Sequence, residues 1–367
     1  MEFVDVSRYL EVKNPKVLPF SELRSMKRVW VTHDLQLVQE KDNMEYARSL
    51  ARKGIIVVPI RKKDPFLKYL DREEFPRRVI LEMTSRCNFL CRMCPQQNLK
   101  RPRMDMPGEL YRKVIDELEE KGIEGLWLYH LGESILHPEF KKNVEHIATK
   151  KNLGMIWMST NGQRFDEDII KTVLASNIDY INYSAHAITD ETYEKVAPMG
   201  DFLTVQANLN RLYELKGLDN LPRRPFIHCQ MIEQEITKHE VDGFIQKHYK
   251  KADIVSVNML EYVDLKNNKF GYNQRVRQEL TSCSRITRNS AFICSNGVVV
   301  PCDAAYNGEV YYGNINDNTL EEIWHSEDRK QVVQLNKQGK MSDIEFCANC
   351  PDHDVIMVGL EKVSESI

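Results

Sequence analysis

The sequence predicts an α/β fold, a partial (β/α)6 barrel with a small cysteine-rich domain after it and a short extension before it. Three observations carry this. From Arg77 onward, near-continuous apolar runs alternate six times with helical segments. The nine cysteines fall into two groups, Cys87–Cys94 and Cys283–Cys350, with only Cys229 apart. The alternation also ends near Gly271, just before the second group starts.

The expected strands are RVILEMT (78–84), GLWLYHL (125–131), MIWMST (155–160), DYINYSA (179–185), PFIHCQMI (225–232) and DIVSVNML (253–260). Most are apolar throughout, as suits strands covered on both faces. Between them lie GELYRKVIDELEEKG, DEDIIKTVLASN, ITDETYEKV with a second helix FLTVQANLNRLYELKG, and TKHEVDGFIQKHYKK. Six strand–helix units in a row imply parallel strands with right-handed crossovers. Sites in such folds sit at the C-terminal strand ends. Residues 1–75 hold no cysteine or motif; RVWVTHDLQLV and IIVVPI read as strands and NMEYARSLARKG as a helix. The charged, proline-bounded stretch KKDPFLKYLDREEFP places a boundary near Pro76, giving units 1–75, 76–270 and 271–367.

Composition narrows the class. With 367 residues, 42% hydrophobic and 29% charged, the chain can bury a sizeable core. A net charge of -3 does not favour nucleic acid or an anionic membrane. The first residues, MEFVDVSRYLEVKN, lack the apolar core of a signal peptide, and no run is long enough to span a membrane. The expectation is a cytoplasmic protein, where clustered thiols read as metal ligands or catalytic groups, not disulfides.

The first group, Cys87-Asn-Phe-Leu-Cys91-Arg-Met-Cys94-Pro, directly follows the first strand. Three thiolates at C-x3-C-x2-C spacing can wrap one iron–sulfur cluster and leave one iron without a protein ligand. The plainer alternative is zinc, which usually draws on paired dyads and here lacks a nearby fourth ligand.

This pattern resembles the signature of the radical S-adenosylmethionine (SAM) superfamily. Met93 stands where the family usually has an aromatic residue beside the adenine. Leu131-Gly132-Glu133 resembles the family's glycine–glycine–glutamate motif, its first glycine replaced by leucine. The resemblance implies that this segment meets the amino group of SAM, with Glu133 as acceptor; alone, Glu133 also reads as a helix cap. Ser159-Thr160-Asn161-Gly162 resembles the ribose-contacting motif, and Ser184, before Ala185 and His186, occupies the place of a serine that reaches SAM. The implied SAM contacts are Met93, Gly132, Glu133, Ser159, Asn161 and Ser184.

The segment AFICSNGVVVPCDAAYNGEVYYGNINDNTLEEIW resembles the SPASM or shorter twitch extension of these enzymes, on Gly297, Gly313-Asn314-Ile315 and the start of a helix at Leu320. VVVPC and VYYGN would form a hairpin that presents one thiolate while the distant Cys347-Ala-Asn-Cys350 closes the cage. Two auxiliary clusters need more thiolates than remain. Cys283, Cys302, Cys347 and Cys350 make one set of four, the twitch arrangement, with structural zinc as the alternative. Cys294 and Cys229 read as buried small hydrophobes.

The resemblance implies two [4Fe–4S] clusters, SAM, and a flavodoxin- or ferredoxin-type electron donor. It implies reductive SAM cleavage and hydrogen abstraction from a small molecule (cyclitol, sugar or nucleotide) that is oxidised or rearranged. Modification of a peptide, by cross-linking or epimerisation, is the alternative substrate class. A non-catalytic electron carrier is the alternative of another kind. His186 is the candidate catalytic residue, with His228 a second histidine that could face substrate; a satisfied polar role is the plainer reading of each. Arg101 and Arg103 read as solvent-facing, with anion binding as the alternative, and Trp127 and Tyr129 as packing.

Overall fold

The computed structural model describes residues 72–217, 225–248, 251–259 and 281–350, with five short strands before residue 61. Six parallel strands appear where the apolar runs place them: β1 (Arg78–Leu81), β2 (Gly125–Leu128), β3 (Met155–Thr160), β4 (Tyr180–Ser184), β5 (Phe226–Glu233) and β6 (Ile254–Met259). Between them lie α1 (Gly108–Lys121), α2 (Phe140–Ala148), α3 (Glu167–Ala175), α4 (Asp190–Val196), α5 (Phe202–Lys216) and α6 (Val241–His248).

Each helix follows from its own sequence. In α1, Tyr111, Val114, Ile115 and Leu118 form one buried stripe at helical spacing. Asp166, Thr189 and Asp201 cap the N-termini of α3, α4 and α5 with their side-chain oxygens.

The cysteine-rich segment extends the same sheet. It supplies β7 (Ser290–Ile293), β8 (Val298–Val300) and β9 (Gly313–Asn314), and the strand order is β6-β5-β4-β3-β2-β1-β7-β8-β9. β7 lies parallel to β1, pairing Ala291 with Val79, and β8 and β9 follow antiparallel. The hairpin expected from VVVPC and VYYGN is therefore present, and the sheet is open, with β6 and β9 at its edges. Gly297 makes the β7–β8 turn at φ 86, and its N–H donates to Cys294 O at 2.8 Å.

Four short helices complete the segment: α7 (Ser284–Thr287), α8 (Leu320–Trp324), α9 (Glu327–Lys337) and α10 (Glu345–Ala348). Thr319 and Glu322 form a capping box at the start of α8. The carboxylate of Glu117 on α1 also accepts the N–H groups of Leu320 and Glu321, fastening α8 to the barrel.

Toward the N-terminus, the run expected as one strand divides in two. Val29–Thr32 pairs antiparallel with Leu37–Gln39, because the run folds back on itself, and also with Val57–Ile60. The helix expected over NMEYARSLARKG lies outside the described residues.

Candidate active site

The loop after β1 carries Cys87, Cys91 and Cys94 and is held on several sides. Leu90 and Arg92 donate their N–H groups to Pro198 O and Val196 O, at 3.2 and 3.0 Å, pairing the loop with the α4–α5 connection. Phe89 packs edge-on against Tyr193, ring centroids 6.3 Å apart. Gln96 donates to Ser85 O at 3.1 Å and Gln97 to Cys91 O at 3.1 Å. Burial raises all three thiols, and Cys87 reaches about 12, with the Glu133 carboxylate adding to the effect.

The tips of β2 and β3 meet this loop. Gly132 lies so close to it that a Cβ there would come within 1.9 Å of Thr84 O and 2.9 Å of Arg86 O. Glycine at 132 therefore lets the second motif touch the first. Glu133 donates its N–H to Arg86 O at 2.9 Å. Its Oε2 accepts the N–H of Asn161 at 2.7 Å, while Oε1 lies 3.5 Å from the N–H of Ile135. Glu133 is thus both a cap and a cross-link, and burial pushes its carboxyl up to about 7 against the lowering effect of the Asn161 N–H. Asn161 Nδ2 donates to Asn88 Oδ1 at 2.9 Å and lies 3.9 Å from Cys87 Sγ.

Ser159 and Ser184 share one face of the sheet by strand alternation and are both partly exposed. Met93 is also partly exposed, between Cys91 and Cys94. His186 follows β4 at φ 56, is 7% exposed, and accepts the N–H of Ile232 on Nδ1 at 3.3 Å. Burial lowers it to about 4, so it is neutral at pH 7. His228 lies buried between Tyr180 OH and Ser256 Oγ, lowered by burial to about 3. It is a satisfied core histidine.

The second thiol set also assembles. The thiol of Cys302 lies within electrostatic reach of Cys283 and Cys350, and that of Cys347 within reach of the same two. Thiol sets of three and of four suit the ligation of iron–sulfur clusters.

The radical SAM superfamily model matches residues 81–222, and an iron–sulfur cluster-binding domain model matches residues 283–351. The chain belongs to the radical SAM superfamily. These domains imply SAM and [4Fe–4S] clusters, and the thiol sets fit them. The chain is 29% identical over 124 residues to a tungsten-containing aldehyde ferredoxin oxidoreductase cofactor-modifying protein of Pyrococcus furiosus, spanning 34% of each chain. It is 25% identical over 276 residues to an S-adenosyl-L-methionine-dependent 2-deoxy-scyllo-inosamine dehydrogenase of Niallia circulans, covering 74% of this chain and 90% of that one. The structure of Streptococcus suis SuiB bound to precursor peptide SuiA shares the fold, with TM-score 0.54 and 12% identity over 71% of this chain and 68% of that one.

Within this radical SAM fold, sequence reasoning missed one buried network. Arg101 is not solvent-facing: its guanidinium donates to Glu82 Oε1 at 2.6 Å, Tyr306 O at 2.7 Å and Ser295 Oγ at 3.2 Å. Glu82 also accepts the N–H of Ser295 at 2.8 Å. Burial opposes its ionisation, but His130 and Arg101 hold it well below the usual carboxylate range. This pair bolts the cluster loop to the cysteine-rich segment. Glu82, His130 and the buried Cys294 bring three possible ligand atoms together, but Arg101 already occupies that carboxylate. Cys229 and Cys294 are both fully buried, as small hydrophobes. Arg103 is exposed and donates to Gln96 O. No signal in sequence spacing links Arg101 to Glu82, because they stand 19 positions apart with the cluster loop between them.

Proposed function

We propose that this radical SAM enzyme abstracts a hydrogen atom from a small molecule, a cyclitol, sugar or nucleotide, and oxidises or rearranges it. The observation that carries the reading is the junction of Cys87, Asn161 and Glu133 at the C-terminal strand ends, on a sheet that also carries the second thiol set. Cys87, Cys91 and Cys94 would hold one [4Fe–4S] cluster, and Cys283, Cys302, Cys347 and Cys350 the other. Bound there, cluster and SAM supply one-electron chemistry, reductive cleavage to methionine and a 5′-deoxyadenosyl radical.

The chain's own residues bind and orient. Glu133 offers a buried carboxylate to the SAM ammonium, and that cation would draw its proton off. Ser159, Asn161 and Ser184 offer neutral hydrogen-bonding groups to the rest of SAM, Gly132 keeps the second motif against the loop, and Met93 flanks the adenine. His186, buried, neutral and engaged with the β5 backbone, acts as a positioning residue and not as a proton carrier. The four thiolates of the second set leave no iron open, which suits an acceptor for the substrate radical's electron, as an oxidation requires.

An electron carrier would need none of the Gly132, Glu133 and Asn161 arrangement. The charge of the cluster loop supports a reading of the donor side. Residues 86–104 carry five cations and no carboxylate, and Arg86, Arg92, Lys100 and Arg103 are exposed, which suits an acidic flavodoxin- or ferredoxin-type partner. Nine free cysteines fit a cytoplasmic setting, and among the described residues no helix is long and apolar enough to cross a membrane. Incubating the reduced protein with SAM and measuring 5′-deoxyadenosine tests the reading; a carrier makes none.

A further inference from the structure

The inner face of the sheet can be read from strand alternation. In β2 to β5, residues pointing outward are buried, except Glu233 at the end of β5. On the opposite parity, Trp127, Trp157, Asn182 and Gln230 stay partly exposed in mid-sheet, together with Ser159 and Ser184. Apart from Glu233 at the end of β5, partial exposure in these strands falls on the inner parity, which marks an open trough on the same face as the SAM-side serines.

Its floor is aromatic. The rings of Trp127 and Trp157 stack with centroids 5.9 Å apart and planes 22° apart, and Trp157 lies over Tyr180 at 3.7 Å. The Trp127 ring lies along the backbone at Gly125, where a Cβ would come within 2.8 Å of it. Its wall is amide. Asn182 Nδ2 donates to Gln230 Oε1 at 2.6 Å and to Ser159 Oγ at 3.3 Å, while Asn182 Oδ1 has no hydrogen-bond partner among the described residues. Two residues of strand separate Trp157 from Ser159, about 7 Å of rise, which is the depth of one ring with its clearance.

The trough is uncharged. Among the described residues, no inward position of β2 to β5 carries a formal charge, and His186 and His228 are neutral through burial. At its border Arg78, whose guanidinium lies 5.8 Å from the Trp127 ring centre, shares the Glu124 carboxylate with Arg77, and Glu82 holds Arg101. A phosphate or a charged side chain entering here would lose its hydration with no charged group at an inward position of β2 to β5 to replace it.

We propose that this trough binds an uncharged, polyhydroxylated ring, with its C–H groups against the exposed parts of the stacked Trp127 and Trp157 rings and hydroxyls on Asn182 and Gln230. It excludes phosphorylated rings, nucleotides and charged peptide segments. The proposal rests on the enzyme reading above and narrows its substrate class.

Equilibrium dialysis of the anaerobically reconstituted holoenzyme, saturated with SAM, tests it with myo-inositol, glucose, glucose 6-phosphate, GTP and a lysine- and glutamate-bearing peptide as probes. At least one neutral ring should bind, and glucose 6-phosphate should bind about tenfold or more weakly than that ring. Trp157→Ala should weaken the neutral ring about tenfold, while Trp157→Phe, which keeps an aromatic floor, should restore most of it. Equal or tighter binding of glucose 6-phosphate, GTP or the peptide would overturn the proposal, as would failure of both neutral rings to bind. Formation of 5′-deoxyadenosine without any probe reports separately on the enzyme reading, so the two failures are distinguishable.

Discussion

Glu133 Oε2 accepts the backbone N–H of Asn161 at 2.7 Å, so one buried carboxylate joins the tip of β2 to the tip of β3 beside the Cys87 loop. Burial of that carboxylate, which outweighs the lowering effect of the Asn161 N–H, gives the site a pH signature. A carboxyl held up to about 7 keeps its proton in the folded chain where the unfolded chain, titrating near its ordinary value, has lost it. Its stabilising contribution is therefore present at low pH and disappears as pH rises from about 4.3 to about 7. The SAM-free protein should lose on the order of 3 kcal/mol of stability across that window from this group. Denaturant melts at several pH values, compared with Glu133→Gln, should show the slope in the wild type alone. Equal slopes would remove Glu133 as its source.

Glu133→Gln should also weaken SAM by about 1.5–3 kcal/mol, the range for a hydrogen bond to a charged group, with cluster content unchanged. Calorimetric titration of SAM into the reconstituted variant measures this. Unchanged affinity would reduce Glu133 to a helix cap and a cross-link.

Gly132→Ala places a Cβ within 1.9 Å of the Thr84 carbonyl, a backbone atom that cannot swing aside. The Cys87 loop should shift, and reconstituted iron should fall from about eight to about four per chain as only the second cluster assembles. Full iron content in this variant would show that the two motifs do not need this contact.

Arg101→Met leaves Glu82 buried without its cation, which should cost about 3–5 kcal/mol. Replacing both, Glu82→Met with Arg101→Met, should recover much of the loss, because an uncompensated buried charge is worse than none. Thermal melts of the single and double variants decide. Equal destabilisation by both would mean that the pair itself, and not the stranded carboxylate, matters.

Cys347→Ala with Cys350→Ala should leave 5′-deoxyadenosine formation in place while turnover to product falls far more steeply. That uncoupling is expected if the second cluster takes up the substrate's electron. A variant that is unfolded by circular dichroism, or that loses both activities equally, would assign the set a structural role instead.

What the sequence showed and hid follows from distance along the chain. The six parallel strands were legible because apolar runs such as RVIL and GLWL repeat a local pattern, and the Cys87 loop because its spacing is local too. The place of the cysteine-rich hairpin was not. That β7 pairs with β1, joining both thiol sets on one sheet, depends on contacts more than 200 residues apart. Arg101 looked like a surface residue for the same reason, since its partners Ser295 and Tyr306 lie in that distant segment. Trp127 was expected to be packing; it does stack on Trp157, but the inward parity also leaves it open to the trough.

The most direct test is iron content and SAM cleavage measured on one anaerobic preparation. The wild-type chain should hold about eight irons and form 5′-deoxyadenosine from SAM when reduced with dithionite. The variant with Cys87→Ala, Cys91→Ala and Cys94→Ala should hold about four irons and form none. A fully loaded wild-type protein that forms no 5′-deoxyadenosine, or a triple variant that still forms it, would contradict the assignment of the radical SAM site to these three cysteines.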